Sequence, residues 1–245
     1  MFSPKHNSLS RGPLSGLTGV PRVLLILQVL LLGGSLGSCA SSGTIPFNGK
    51  NLDGWHVDIP DADGGAAVEP SFGVENGMLV SYGTPQGHLI TDEVYSNYRL
   101  TVEYRWSGEP GNCGILIHSS TPRRLYKMFP ASIECQMHVG NAGDFWCIGE
   151  SISTPNMESR RNPDPATWGG NEGDARRIKN LTDDSENPTG EWNTMVIECR
   201  GSSVDVWVNG DHVNSGFDCT ASEGQIAVQA EGAPCEFRRV ELESL

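Results

Sequence analysis

Helical periodicity is nearly absent from this chain, which argues against bundles and α/β folds built on long amphipathic repeats. Basic residues are scarce: 17 Lys and Arg stand against 30 Asp and Glu, for a formal charge of −13. Such a surface repels phosphate backbones, so nucleic acid is excluded as a first ligand. No Cys-x-x-Cys pair and no Cys/His spacing of the metal-binding kind occurs. No internal repeat is visible. The main apolar run, Val23 to Leu32, spans about 15 Å as a helix, against a bilayer core of roughly 30 Å.

What is present begins with a targeting signal. Residues 1–22 carry Lys5, Arg11 and Arg22 and no acid. A basic start, a short apolar run and small residues after it make a signal peptide. Leu36-Gly37-Ser38-Cys39 resembles the bacterial lipobox, in which the Cys becomes the lipidated first residue. An ordinary signal peptide cut near Ala40 is the alternative. The expected organisation is a signal peptide over 1–38, a tether over 39–45 and one domain over 46–245. The product would be exported and held in a membrane by lipid on Cys39, in the periplasm or on the cell surface. Losing 38 of 245 residues leaves 207, and losing three basic residues and no acid takes the charge from −13 to −16. That length suffices for one large sandwich with its own core. Six cysteines remain, Cys113, Cys135, Cys147, Cys199, Cys219 and Cys235. Export permits disulfides, six cysteines allow 15 connectivities, and buried free thiols are equally open.

Glycine (30) and proline (15) punctuate short alternating runs, the pattern of an all-β sandwich or barrel. Over 97–106, Tyr98, Leu100, Val102, Tyr104 and Trp106 take one face, with Arg99, Thr101, Glu103 and Arg105 on the other. Over 132–139, Ile133, Cys135, Met137 and Val139 point inward, and Ser132, Glu134, Gln136 and His138 outward. Further strands are expected over 194–200, 203–208, 224–230 and 235–242, and a first short one between Phe47 and Trp55. Asn76-Gly77 and Asn209-Gly210 are hairpin turns. The polar segment 149–190 is long for a loop. It holds Arg160, Arg161, Arg176, Arg177 and Lys179, either as a solvated excursion or as a rim over a cleft.

Several stretches together resemble the 3-keto-disaccharide hydrolase family. They are Phe47-Asn48-Gly49-Lys50-Asn51-Leu52-Asp53-Gly54-Trp55, Val74-Glu75-Asn76-Gly77-Met78-Leu79, Gly111-Asn112-Cys113-Gly114-Ile115, Ile133-Glu134-Cys135-Gln136-Met137 and Gly190-Glu191-Trp192-Asn193. Val208-Asn209-Gly210, Gly224-Gln225-Ile226-Ala227-Val228-Gln229 and Phe237-Arg238-Arg239-Val240 follow in order. The resemblance implies a concanavalin-like, glucanase-type jelly roll of two antiparallel sheets. It also implies action on glycosides oxidised to a ketone at C3. Two departures bear on the substrate: His118 stands where an Arg is common, and Cys113 where the family has Ser.

The candidate catalytic residues are Glu134 and His138. On one strand, Glu134 and Gln136 would project about 7 Å apart, and His138 about 13 Å from Glu134. The strand lacks the second carboxylate of the Glu-x-Asp-x-Glu strand of retaining glucanases. Asn112 and His118, in phase with Leu116, would join this row, and Glu103 and Arg105 form a further set. A C3 ketone acidifies the C2 proton, so a base can remove it and the C1 substituent can leave; water adds afterwards. Such chemistry needs a base, an enolate stabiliser and an acid. Glu134 or His138 could be the base, and Lys127 or Arg105 the stabiliser. A divalent cation held by Glu134, His138 or His118 is the alternative, although no cofactor can be read from the sequence. Trp146 is a candidate sugar platform. The expected ligand is a carbohydrate, and no protein partner can be named. A non-catalytic, envelope-anchored carbohydrate-binding module is the alternative function.

Overall fold

The computed structural model describes residues 46–182 and 184–245. The signal peptide, the tether and Cys39 lie outside the described residues.

Fourteen strands run in chain order as β1 (Trp55–Asp58), β2 (Phe72–Glu75), β3 (Met78–Ser81), β4 (Gly87–Thr91), β5 (Tyr98–Trp106), β6 (Gly114–Leu125) and β7 (Phe129–Gln136). They continue as β8 (Phe145–Ile148), β9 (Arg177–Ile178), β10 (Asn193–Arg200), β11 (Ser203–Val208), β12 (Asp211–Gly216), β13 (Gln225–Ala230) and β14 (Cys235–Ser244). They form two seven-stranded antiparallel sheets, ordered β1-β4-β13-β6-β7-β8-β9 and β12-β11-β10-β5-β14-β3-β2. The last two strands insert between earlier ones, β13 between β4 and β6 and β14 between β5 and β3. The architecture is a jelly-roll sandwich.

Alternation builds it. Tyr98, Leu100, Val102, Tyr104 and Trp106 of β5 are buried against Ile115, Ile133 and Phe145 of the first sheet. Each such large side chain contributes about 1.5–3 kcal/mol by leaving water. Asn76-Gly77 and Asn209-Gly210 turn their hairpins with positive φ at both residues, as the expected turn type requires. All six cysteines are buried as free thiols, and burial pushes Cys199 up to about 12 and Cys219 to about 11.

Two strand boundaries differ from expectation. The first strand begins at Trp55; Phe47 enters the core from a loop. β7 ends at Gln136, because the chain turns at once, with Asn141 N donating to the His138 carbonyl at 2.8 Å, and Val139 is exposed. A second apolar cluster, Ile90, Leu116, Leu125, Ile148 and Ala227 with Phe129, covers part of the outer side of the first sheet. There the β6–β7 hairpin folds back through Tyr126 and Lys127, both at positive φ. That covered outer face is where the polar row lies.

Candidate active site

Glu134 sits mid-strand on β7, opposite Leu116 of β6 and Trp146 of β8. Gln136 is opposite Gly114. A Cβ at position 114 would lie 2.5 Å from Glu134 Oε1 and 3.0 Å from the Gln229 side-chain oxygen, so glycine here makes room for two side chains that converge above it. Gln229 on β13 is in register with His88 on β4. The face therefore carries a row across the sheet: His88, Gln229, Glu134, Trp146.

Much of that row is buried and unpaired. Glu134 is 5% exposed and its Oε1 has no partner. Gln229 is 1% exposed and neither end of its amide is bonded. Both His88 nitrogens and the Trp146 indole N–H are also without partners. Buried polar groups are nearly always satisfied, and a contiguous set of exceptions marks a place where water or a ligand completes the bonding.

Burial pushes Glu134 up to about 8; Glu231 adds to the rise, while the Gln229 amide and Arg176 oppose it. Burial pulls His88 down to about 4, so its ring is neutral at pH 7; it stands edge-on to Phe129 at 5.4 Å. Glu231 follows β13 and bridges to Asn112. Burial raises it too, with Asn112 and Arg176 opposing. Arg176 spreads its guanidinium over Trp146 at 5.2 Å and Tyr126 at 5.5 Å. Among the described residues it makes no hydrogen bond or ion pair through its side chain, unlike Arg160, Arg161 and Arg177 of the same segment. Those three pin the long loop: Arg160 to the Lys179 carbonyl at 2.8 Å, Arg161 to the Gly169 carbonyl at 2.6 Å, Arg177 to Asp144 at 2.5 Å.

Two hollows flank Glu134. One, of about 330 Å³, is lined by Asn112, Gln136, His138, Asn141, Asp144, Trp146 and Arg177. The other, of about 520 Å³, is lined by Tyr126, Lys127, Phe129 and Glu231 among others. Asn112, Gln136, His138 and Trp146 thus border one hollow and Lys127 the other. His138 does so from an exposed turn, where its Nδ1 is 3.0 Å from the Val139 carbonyl and 3.1 Å from the Asn141 amide.

Three expected members lie elsewhere. His118 leaves the row: at a register shift in β6 its φ of 52° turns the side chain over, its ring packs edge-on against the core residue Tyr98, and its Nδ1 meets the Ala221 carbonyl at 2.9 Å. It therefore shares no cation site with Glu134. Glu103 and Arg105 sit on the outer face of the opposite sheet, since β5 turns its apolar side toward the core between them and the cleft. There Glu103 pairs with Arg238 and Arg239, and Arg105 with Glu236. No group of three or more His, Cys, Asp or Glu able to hold a metal occurs among the described residues.

His88 and Glu231 went unnoticed in the sequence. Gln229 and Arg176 lie inside segments already marked, as a strand and a basic loop, but nothing in either pattern says which side chain faces the cleft.

No curated protein matches the chain. A candidate glycosyl hydrolase from Parabacteroides distasonis is similar to it, at a TM-score of 0.57 and 19% identity over 83% of this chain and 94% of that one. A second from the same organism gives 0.55 and 18%, over 83% and 99%. The carbohydrate-binding module CBM66 of Bacillus subtilis gives 0.51 and 11%, over 78% and 96%. At these identities the likeness is one of fold. The sequence match is more specific: residues 44–243 fit the 3-keto-alpha-glucoside-1,2-lyase-like domain, and the chain belongs to that family of 3-keto-disaccharide hydrolases.

Proposed function

We propose that this domain cleaves glycosides already oxidised to a ketone at C3, by removing the C2 proton and expelling the C1 substituent, with water adding to the product. Glu134 carries this reading. It is a carboxyl kept neutral at pH 7 by burial, with one unpartnered oxygen, beside Gln136 and Trp146, which line one of the hollows. A buried carboxyl of this kind is suited to proton transfer near neutral pH. Arg176 takes the role first given to Lys127 or Arg105: its unpaired N–H groups, held between Tyr126 and Trp146, stabilise the enolate oxygen as charge develops. Trp146 offers a sugar platform, and Gln136, Asn112, His138 and Lys127 offer polar contacts along the two hollows. The domain works outside the cytoplasm, tethered through Cys39, a reading that rests on residues 1–39 alone.

The test incubates purified protein with a 3-keto-glucoside and with the parent glucoside, with and without EDTA, and follows aglycone release. Release from the keto form alone is expected, and EDTA sensitivity would reveal a metal. Binding of both sugars with no release from either would replace the enzyme by a glycan-binding module.

A further inference from the structure

The strand bearing Glu134 supplies a single carboxylate, but the fold brings a second to the cleft. Gln229 meets Glu134 above Gly114. Glu231 lies two residues beyond Gln229, with Ala230 between them buried in the core, so alternation returns Glu231 to the same face about 7 Å further along. The bridge from Asn112 to Glu231 fixes the chain there, two residues from Gly114. Glu231 lines the hollow on the Lys127 side, and Asn112 the hollow on the Trp146 side. The buried Gln229 amide, unpartnered at both ends, lies beside Glu134 above Gly114 and marks a spot that water or a ligand completes.

We propose that Glu231 and Glu134 divide the proton transfers of the cleavage, Glu231 as the base at C2 and Glu134 as the acid at the departing C1 oxygen. The proposal rests on the 3-keto reading above. Glu231 takes the C2 proton, and the C2–H electrons form the C2–C3 enolate. The enolate collapses to a C1–C2 double bond as the C1–O bond breaks, and the departing oxygen takes the Glu134 proton. One proton is gained and one lost, and the products are an alcohol and a 3-keto-1,2-ene. Hydration reverses the roles: ionised Glu134 accepts a proton as water adds to C1, and protonated Glu231 returns one to C2. Burial raises both carboxyls, and the neighbours differ: at Glu231 the other named groups, Asn112 and Arg176, oppose the rise, whereas at Glu134 the carboxylates of Glu231 and Asp144 add to it.

The experiment compares full-length wild type, Glu134→Gln and Glu231→Gln on the methyl and the 4-nitrophenyl 3-keto-glucosides. It also measures exchange of the C2 hydrogen in D2O by NMR. A nitrophenolate leaves without an acid. Glu134→Gln should therefore lose the methyl substrate by ~10²-fold or more, yet keep nitrophenyl release and C2 exchange within about tenfold. Glu231→Gln should lower both substrates and the exchange together. Should Glu231→Gln fail to fold, Glu231→Asp keeps the charge one methylene back, and its kcat and exchange should fall in parallel. The pair is overturned if a Glu231 variant leaves exchange at the wild-type rate, or if Glu134→Gln lowers both substrates by the same factor. Wild type that leaves both keto substrates intact would instead remove the substrate reading on which the pair depends.

Discussion

The outer faces of the two sheets carry the same kind of residues in the same alternation, yet they behave as opposites. On β5 and its neighbours, Glu103 pairs with Arg238 and Arg239, Arg105 with Glu236, and Arg99 with Glu198, all at least partly in water. Arg105 and Arg238 also cover Trp192 from 4.7 and 4.5 Å, so this tryptophan lies half-buried on the outer face. On the other sheet, Glu134, Gln229 and His88 are buried and unpaired. Pairing in solvent costs little and contributes little. Burial without a partner is costly, and a contiguous set of such groups beside a hollow is where water or a ligand can complete the bonding. What separates a decorated surface from a site is the cover that the β6–β7 hairpin and the long loop place over one sheet and not the other.

The largest effect should follow from exchanging a carboxylate for an amide on each face. Glu134→Gln should lower turnover of a 3-keto-glycoside with a poor leaving group by ~10²–10⁴-fold. Glu103→Gln, on the opposite sheet, should leave it unchanged. Equal losses would erase the functional distinction between the faces. Next comes Gly114→Ala. The new methyl would stand 2.5 Å from Glu134 Oε1 and 2.9 Å from its Cγ, and the side chain must move. A displacement near 1 Å can cost ~10²-fold in rate. The fall should appear in kcat with the protein still folded, as checked by steady-state kinetics beside a thermal melt.

The opposite faces were legible in the sequence as alternation, and so was the sandwich. Period two over 98–106 gave the phase of β5, and the two Asn-Gly turns gave their hairpins. The outward phase of Glu134 and Gln136 followed from Ile133 and Cys135. What failed was local. His118 was placed by counting along an unbroken strand, and a single residue at positive φ moved it to the core side. His138 was counted onto a strand that stops two residues earlier. What alternation left open was non-local. Glu231 and Arg176 reach Glu134 from positions 97 and 42 residues away, through pairings of β13 and β9 that alternation does not specify. The Cys113 departure from the family pattern is an inward position, where it packs in the core and its thiol meets the Gln229 carbonyl at 3.3 Å.

The faces should also differ in how stability responds to pH. Burial raises Glu134 from 4.5 to about 8, so between these values the folded protein holds a proton that the unfolded chain has released. The stabilisation is complete below 4.5 and is lost as pH rises through 8, a change on the order of 5 kcal/mol. His88, lowered from 6.5 to about 4, acts in the other direction: its contribution is present above 6.5 and is lost as pH falls through 4. Above pH 6.5 it is constant. Melting temperature followed from pH 6.5 to 8.5 should fall more steeply for wild type than for Glu134→Gln. Parallel slopes would mean that Glu134 is already ionised in the folded state.

The smallest effect belongs to the paired face. Glu103 accepts from Arg238 Nε at 2.5 Å and lies 3.5 Å from Arg239 Nη1, and both arginines are more than 40% exposed. Removing its charge leaves two guanidinium groups that water can solvate and that keep other contacts, Arg238 over Trp192 and Arg239 with Glu241. Glu103→Gln should therefore cost less than about 1 kcal/mol, a melting shift of only a few degrees that shrinks further as salt is added. A salt-independent loss of several kcal/mol would mean that the outer face of this sheet depends on a desolvated network. Unpaired burial would then no longer distinguish the cleft face by itself.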